Sequence, residues 1–219
     1  MSRIFTAVRL NFYIAKSNLH IAALTFALSL VLGVLTKLPV VTVVYNMMFA
    51  TFMSGMIFSV EDKNNIQKLY GILPLKRTEW TYARYLYALI IGLANLALVS
   101  IAFLAISNIV GLPFDSLTCF TFLGLSIFYY CFSVSVIFPI YIRFSFSKAY
   151  ILTMLPIALI GVGMMFIARK TDLSGSLSGF IEFFFARQSR ILVCAFCVGI
   201  ALLTVSALLA CAIYKKKEL

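Results

Sequence analysis

The 219-residue chain is strongly apolar: 63% of its residues are hydrophobic and only 11% are charged, with a mean hydropathy of +1.06. A soluble domain is nearer half apolar and a quarter charged, so the composition excludes a water-soluble globule. It predicts one membrane domain over residues 1–219. The net charge of +11 does not indicate nucleic-acid binding, because the basic residues lie in predicted loops and ends, where they set topology and contact lipid headgroups.

Residues 1–18 are predicted to form an amphipathic helix at the membrane interface. On a helix, one side carries the apolar residues Ile4, Phe5, Val8, Phe12, Ala15 and Leu19. The opposite side carries Ser2, Thr6, Arg9, Tyr13, Lys16 and His20. A helix with cations on its polar face is suited to lie along the inner headgroup layer.

Six apolar segments follow, each near the ~20 residues that a bilayer core requires. The spans are predicted at Leu19–Thr36, Pro39–Val60, Thr81–Val110, Leu117–Ile142, Ala149–Ala168 and Ile191–Tyr214. The expected fold class is therefore all-α, a polytopic membrane protein with six transmembrane helices. With the N-terminus inside, thirteen Lys and Arg residues lie in the cytoplasm and five outside. This positive-inside bias predicts that both termini are cytoplasmic.

The predicted outer segment, residues 169–190, is rich in aromatic residues between Phe180 and Phe185. Two interpretations fit it. One is a short helix that dips into the outer leaflet, and the other is an aromatic belt at the membrane interface without a specific role.

No pattern in the sequence predicts a catalytic residue, a metal site or a cofactor in this chain. Cys194 and Cys197 have C-x-x-C spacing but no His or acidic neighbours, which favours small apolar core residues over a metal site. The predicted spans lack an ionisable residue near their middle and a Ser or Cys with a nearby base. A Gly-x-x-x-x-Gly-Lys-Ser/Thr phosphate loop is also missing. Any active transport would therefore need energy from another polypeptide.

The longest polar interval contains residues 61–80, between the second and third spans, and is predicted to be a cytoplasmic coupling loop. Its apolar residues Ile66, Leu69, Tyr70 and Leu73 recur at i, i+3, i+4 and i+7, which predicts one stripe on a short helix. Glu61 and Asp62 occupy the first turn, where carboxylates complement the helix dipole, and Pro74 ends the helix. Such a helix either docks in the groove of a soluble partner or lies on the membrane.

Three motifs in this region resemble a pattern of small bacterial ABC exporter permeases of the second type. They are the acidic pair 61–62 (ED), the run 69–77 (LYGILPLKR) and residues 83–85 (ARY) at the start of the third span. A further similarity lies at residues 139–149 (PIYIRFSFSKA), where Ser145 stands in place of a common glycine. Relatives in this family export antimicrobial or amphipathic peptides such as phenol-soluble modulins.

The resemblance implies a permease that pairs with a second copy of itself or a related permease, in a bacterial cell membrane. Each copy would contact a separate ABC ATPase subunit, which binds ATP and Mg. The implied contact residues are Glu61, Asp62, Ile66, Leu69, Tyr70, Leu73, Lys76, Arg77, Arg143 and Lys148. In this scheme the acidic pair faces basic groups of the ATPase, the apolar stripe fills its groove, and residues 143–148 form a second contact.

The cargo implied by the family is an amphipathic peptide or a similar hydrophobic molecule. The candidate path residues are Phe128, Tyr129 and Phe132 in the fourth span and Asn46 in the second, with ordinary packing as the alternative for the aromatic residues. A competing function is a non-pumping sensor or immunity module that binds toxic peptides. An enzyme that acts on lipids is disfavoured because a catalytic constellation is missing from the sequence.

Overall fold

The computed structural model describes residues 2–37, 39–64, 76–111, 116–144, 146, 149 and 188–216. The helices in this part are α1 (Ser2–Lys16), α2 (Leu19–Leu35), α3 (Pro39–Lys63), α4 (Arg77–Val110), α5 (Ser116–Arg143) and α6 (Gln188–Lys216). These residues include no β-strand. The predicted all-α class is therefore confirmed for the described part of the chain.

Four of these helices, α3 to α6, contain segments long and apolar enough to cross a membrane. A fifth crossing would result if α1 and α2, which meet at a bend of 70°, were taken together. With 17 residues, α2 by itself lies at the lower limit of the length that spans a bilayer core. The described part thus contains four or five candidate spans, which supports a multi-pass membrane protein. Apart from Ala149, the predicted span Ala149–Ala168 lies outside the described residues, as does the segment 169–187.

Among the described helices, α4 is central because it packs against the other five, and α3 packs against α1, α2, α4 and α5. The most extensive contact joins α5 and α6, and α4 also packs against α6. Glycines permit two close approaches. A Cβ atom at Gly33 would overlap the Thr42 hydroxyl across the α2–α3 contact, and one at Gly92 would overlap the Tyr130 ring across the α4–α5 contact.

The predicted breaks between helices follow local backbone signals. The turn after α4 begins at Gly111, whose φ of 71° lies in the left-handed region that glycine adopts without steric cost. Lys37, which follows α2, also has a positive φ of 54°. The chain reverses there, and α3 packs back along α2 as a helical hairpin.

Polar side chains inside the bundle bond across the helix contacts. The Asn46 amide of α3 donates to the Ser29 hydroxyl of α2 at 3.0 Å, and the Thr42 hydroxyl donates to the Ser29 carbonyl at 3.2 Å. The Asn95 amide of α4 donates to the Asn46 carbonyl at 3.4 Å. These bonds satisfy polar groups that would otherwise be costly in an apolar interior.

The first helix packs against α4 and α3, and its buried residues include Val8 of the predicted apolar side. Its buried residues are Ala7, Val8 and Asn11. Phe5 and Phe12, both assigned to the apolar side, are 63% and 37% exposed. The Phe12 ring nevertheless meets the Tyr87 ring of α4 edge-on at 4.9 Å. The small Ala7 and Val8 allow closer contact with α4 than the two large aromatic rings would.

Candidate functional site

One end of the bundle, where α3 ends and α4 begins, is here called the loop end, and it contains a buried ion pair. The Arg84 guanidinium donates to the Glu61 carboxylate at 2.5 Å, and the two side chains are 5% and 0% exposed. Glu61 lies in the last turn of α3, and Arg84 lies about two turns into α4. The pair therefore joins the two helices at the base of the segment 65–75 that connects them.

Aromatic rings enclose the Arg84 guanidinium. Its central carbon lies 4.6 Å from the centre of the Phe58 ring and 5.6 Å from that of Trp80. Both rings are buried, and they exclude water from the pair. Arginine suits this position because its planar, weakly hydrated cation stacks on rings while it binds a carboxylate.

A second acidic contact ties the segment after α5 to the same place. The backbone N–H of Phe146 donates to the Asp62 carboxylate at 2.5 Å. The Phe146 ring lies 4.9 Å from the Tyr141 ring of α5, which in turn lies 5.2 Å from Phe58 of α3. The loop-end cluster thus consists of Phe58, Glu61, Asp62, Trp80, Arg84, Tyr141 and Phe146. It joins α3, α4 and α5 into one unit.

The predicted ATPase contacts are divided between this cluster and the surface. Glu61 and Asp62 are engaged inside the chain, whereas Lys76 and Arg143 are exposed. The Lys76 N–H donates to the Glu79 carboxylate at 2.9 Å, which caps the start of α4. Arg77 is the first residue of α4. The remaining predicted contacts lie outside the described residues: Ile66, Leu69, Tyr70, Leu73 and Lys148.

Sequence reasoning did not identify Arg84 as the partner of Glu61. The two residues are separated by 23 positions, so helical periodicity carries no signal for their pairing. The energetic cost of burying the Arg84 charge nevertheless indicates that Arg84 needs an acidic partner. An arginine within the first turns of an apolar helix is expensive unless it finds a partner, and Glu61 is the acidic residue at the facing helix end.

The predicted path residues fall into two separate places. Asn46 is 4% exposed and bonded to Ser29 of α2, on the side of α3 that faces α2. The Phe128 and Phe132 rings stack on each other along α5 at 6.5 Å, and Phe132 is 41% exposed. Tyr129 is half-buried on the same helix. A role for these four residues in a cargo path stays a prediction.

The cysteines provide no metal site in the described part of the chain, where no group of three or more His, Cys, Asp or Glu residues could hold an ion. Cys194 and Cys197 are exposed on α6, so the interpretation of both as core residues is wrong. The apolar side of α6 that carries them faces away from the bundle. Cys131 and Cys211 are buried, as expected for small apolar residues.

The sequence matches a family model described as ABC-2 family transporter protein over residues 8–215. This chain belongs to the ABC-2 transporter family. Membership confirms the family resemblance seen in the loop motifs, and it indicates the membrane-spanning permease subunit of an ABC transporter. It implies partnership with an ABC ATPase. No curated protein matched the sequence.

The match places the loop-end cluster within the ABC-2 domain, since it spans all seven residues of the cluster. The described residues of this ABC-2 protein form a junction of charged and aromatic side chains at one end of a helical bundle. Its chemistry is that of a fixed ion pair and a fixed hydrogen bond.

Proposed function

We propose that this chain is the permease subunit of an ATP-driven ABC exporter that moves an amphipathic peptide or a similar hydrophobic cargo out of the cell. A separate ATPase subunit binds ATP and Mg and hydrolyses the ATP. Two permease chains, either identical or related, form the transport unit with two ATPases. Membership in the ABC-2 family supports the subunit assignment, and the loop motifs support the cargo class and direction.

The observation that carries the proposal is the loop-end cluster. Segment 65–75 lies between the last turn of α3, which contains Glu61, and the start of α4, about two turns before Arg84, and the ion pair joins the two helices at the base of this segment. The Asp62–Phe146 bond adds the segment after α5. A movement imposed on the loop by an ATPase would therefore be passed to α3, α4 and α5 together rather than absorbed by bending at one helix end.

This arrangement revises the roles proposed for the acidic pair. Glu61 and Asp62 hold the base of the loop from inside, and the apolar stripe beyond them docks in the ATPase groove. The exposed cations Lys76 and Arg143 lie at the rim of the contact. The positive-inside bias then puts this end of the bundle and both termini in the cytoplasm.

The subunit assignment is tested by co-purification with the ABC ATPase encoded beside this chain in its genome. The loop variant is Leu69→Asp/Leu73→Asp, which replaces two residues of the apolar stripe. Loss of two apolar side chains from the centre of the contact should lower the recovery of the ATPase by more than roughly tenfold. A second comparison uses Lys76→Glu at the loop end and Lys37→Glu at the opposite end as matched charge reversals of exposed lysines.

The proposal requires that the native chain retains the ATPase in a two-plus-two complex. The loop variant should lose the ATPase, Lys76→Glu should weaken the complex, and Lys37→Glu should leave it unchanged. Each variant is first shown to be inserted and monodisperse in detergent. If the ATPase never binds, or if it binds the loop variant equally well, the non-pumping peptide-binding module becomes the better account.

A further inference from the structure

A cavity of about 690 Å³ lies at the elbow between α1 and α2, where both helices face α3 and α4. Its floor includes the buried side chains of Val8 and Tyr87. Its mouth includes Phe5, Tyr13 and Leu19, which are 63%, 60% and 68% exposed. The walls add the partly buried residues Met53, Met56 and Ile91. The volume lies within the roughly 300–1,000 Å³ typical of small-molecule sites.

Two cations line the same cavity. Arg9 and Lys16 are both exposed, and they lie on α1 two turns apart. The Arg9 guanidinium lies 5.8 Å from the centre of the Tyr13 ring. The sequence of α1 contains no Asp or Glu, and among the described residues neither cation is paired with a carboxylate. The cavity therefore combines an apolar interior with positive charge at its edge.

We propose that this cavity binds one anionic phospholipid, with an acyl chain along the apolar interior and the phosphate between Arg9 and Lys16. A fatty chain needs no hydrogen bonds, so it matches a lining made mainly of aliphatic, aromatic and methionine side chains. The flexible methionines adapt to a chain of variable shape. Arg and Lys are donors without acceptors, which matches the oxygens of a phosphate group.

An extended peptide, whose backbone groups are not bonded within a helix, fits the cavity less well than a lipid does. Each peptide unit brings an N–H donor as well as a carbonyl acceptor, and both need partners in an apolar environment. Arg9 and Lys16 supply donors only. A peptide N–H would thus be left without an acceptor over most of the lining.

Because of the position of the cavity, a bound lipid would affect how α1 packs against the bundle. The α1–α2 bend of 70° is held on one side by contacts of α1 with α4, including the Phe12–Tyr87 ring pair. A lipid in the cavity would fill the space between α1 and α3, beside Met53 and Met56. It would thereby stabilise α1 against the bundle.

The test measures lipid binding to the purified full-length protein by native mass spectrometry after delipidation. Phosphatidylglycerol and phosphatidylcholine with matched acyl chains are added back separately. The charge variant is Arg9→Gln/Lys16→Gln, and its matched control is Arg3→Gln/Lys37→Gln, which removes one Arg and one Lys outside the cavity. Ala22→Phe fills part of the cavity and leaves both cations in place.

The native chain should retain one phosphatidylglycerol in preference to phosphatidylcholine. Loss of both cations should weaken phosphatidylglycerol binding by roughly thirtyfold. The Arg3/Lys37 control should bind as the native chain does, and Ala22→Phe should reduce the binding of both lipids.

Equal binding of the two lipids by the native chain would overturn the proposal, as would equal weakening in the Arg3/Lys37 control. Displacement of phosphatidylglycerol by an equimolar anionic amphipathic peptide would also overturn it and assign the cavity to cargo. The readout needs neither ATP nor an ATPase. A failed transport assay therefore leaves this result unaffected.

Discussion

Glu61 and Arg84 carry opposite charges in surroundings that exclude water. Removal of two charges from water is costly, and the attraction between them offsets that cost only when both are present and well bonded. In this chain the guanidinium also lies against two buried aromatic rings. The pair is therefore expected to fix the relative position of α3 and α4 more than to add net stability.

This argument predicts different effects for single and double substitutions. Glu61→Gln or Arg84→Met alone leaves one buried charge without its partner, and each should lower the free energy of unfolding by about 3–5 kcal/mol. The double variant Glu61→Leu/Arg84→Met removes both charges and should recover most of that loss. Titration with sodium dodecyl sulphate, followed by circular dichroism, measures the effect.

The matched control for the single variants is Glu79→Gln, which changes a partly exposed carboxylate at the capped start of α4. Because the amide oxygen can still accept from the Lys76 N–H, this change should have little effect. A double variant as unstable as the worse single variant would show that the charges themselves stabilise the fold.

At the scale of the helices, Pro139 shows how α5 is joined to α6. A proline within a helix removes the N–H that would bond the carbonyl four residues earlier, which here belongs to Ser135. The Ser206 hydroxyl of α6 donates to that carbonyl at 2.6 Å. The Tyr85 hydroxyl of α4 lies 2.6 Å from the Ser206 hydroxyl. Tyr85 is the donor of this bond, since the single Ser206 proton is already engaged.

This chain of bonds predicts that the effect of Ser206 depends on Pro139. Ser206→Ala should lower the free energy of unfolding by about 1 kcal/mol, because the Ser135 carbonyl loses its partner. In a Pro139→Ala background the cost should shrink, because the restored N–H bonds that carbonyl. The same detergent titration measures the native chain, the two single variants and the double variant.

Thr204→Ala provides the control on α6, since the Thr204 hydroxyl is exposed and bonds only the Ala201 carbonyl of its own helix. It should leave the stability nearly unchanged. An equal cost of Ser206→Ala with and without Pro139 would refute the compensation.

At the scale of the whole molecule, hydropathy located the apolar helices that the structure describes but not all of their ends. The second span was predicted to end at Val60, yet α3 continues to Lys63. The third was predicted to begin at Thr81, yet α4 begins at Arg77. Apolar residues indicate the part of a helix that lies in lipid. The helix itself continues beyond the lipid wherever its terminal backbone groups find hydrogen-bond partners. The third span was predicted to end at Val110, where α4 does end, because the glycine that follows acts through local backbone conformation.

The parts of the site that depend on tertiary contacts were not visible in the sequence. The Glu61–Arg84 pair and the Asp62–Phe146 bond join residues 23 and 84 positions apart. Helical periodicity gives the amphipathic pattern of α1 but does not show which of its residues the neighbouring helices cover. The close contact with α4 buries the small residue Ala7 and leaves the larger Phe5 exposed.

The loop-end cluster unites three helices with the loop that the ATPase is proposed to move. We propose that ATP hydrolysis by a separate subunit drives cargo through this chain. In this proposal the coupling begins at the cluster and reaches α6 through its contacts with α4 and α5.

The most direct measurement is uptake of a fluorescent amphipathic peptide into inverted membrane vesicles that contain this chain and its ATPase. Our account predicts uptake that requires ATP, this chain and an intact ATPase site, and that is abolished by Leu69→Asp/Leu73→Asp. Uptake that continues without ATP, or no difference between vesicles with and without this chain, would contradict it.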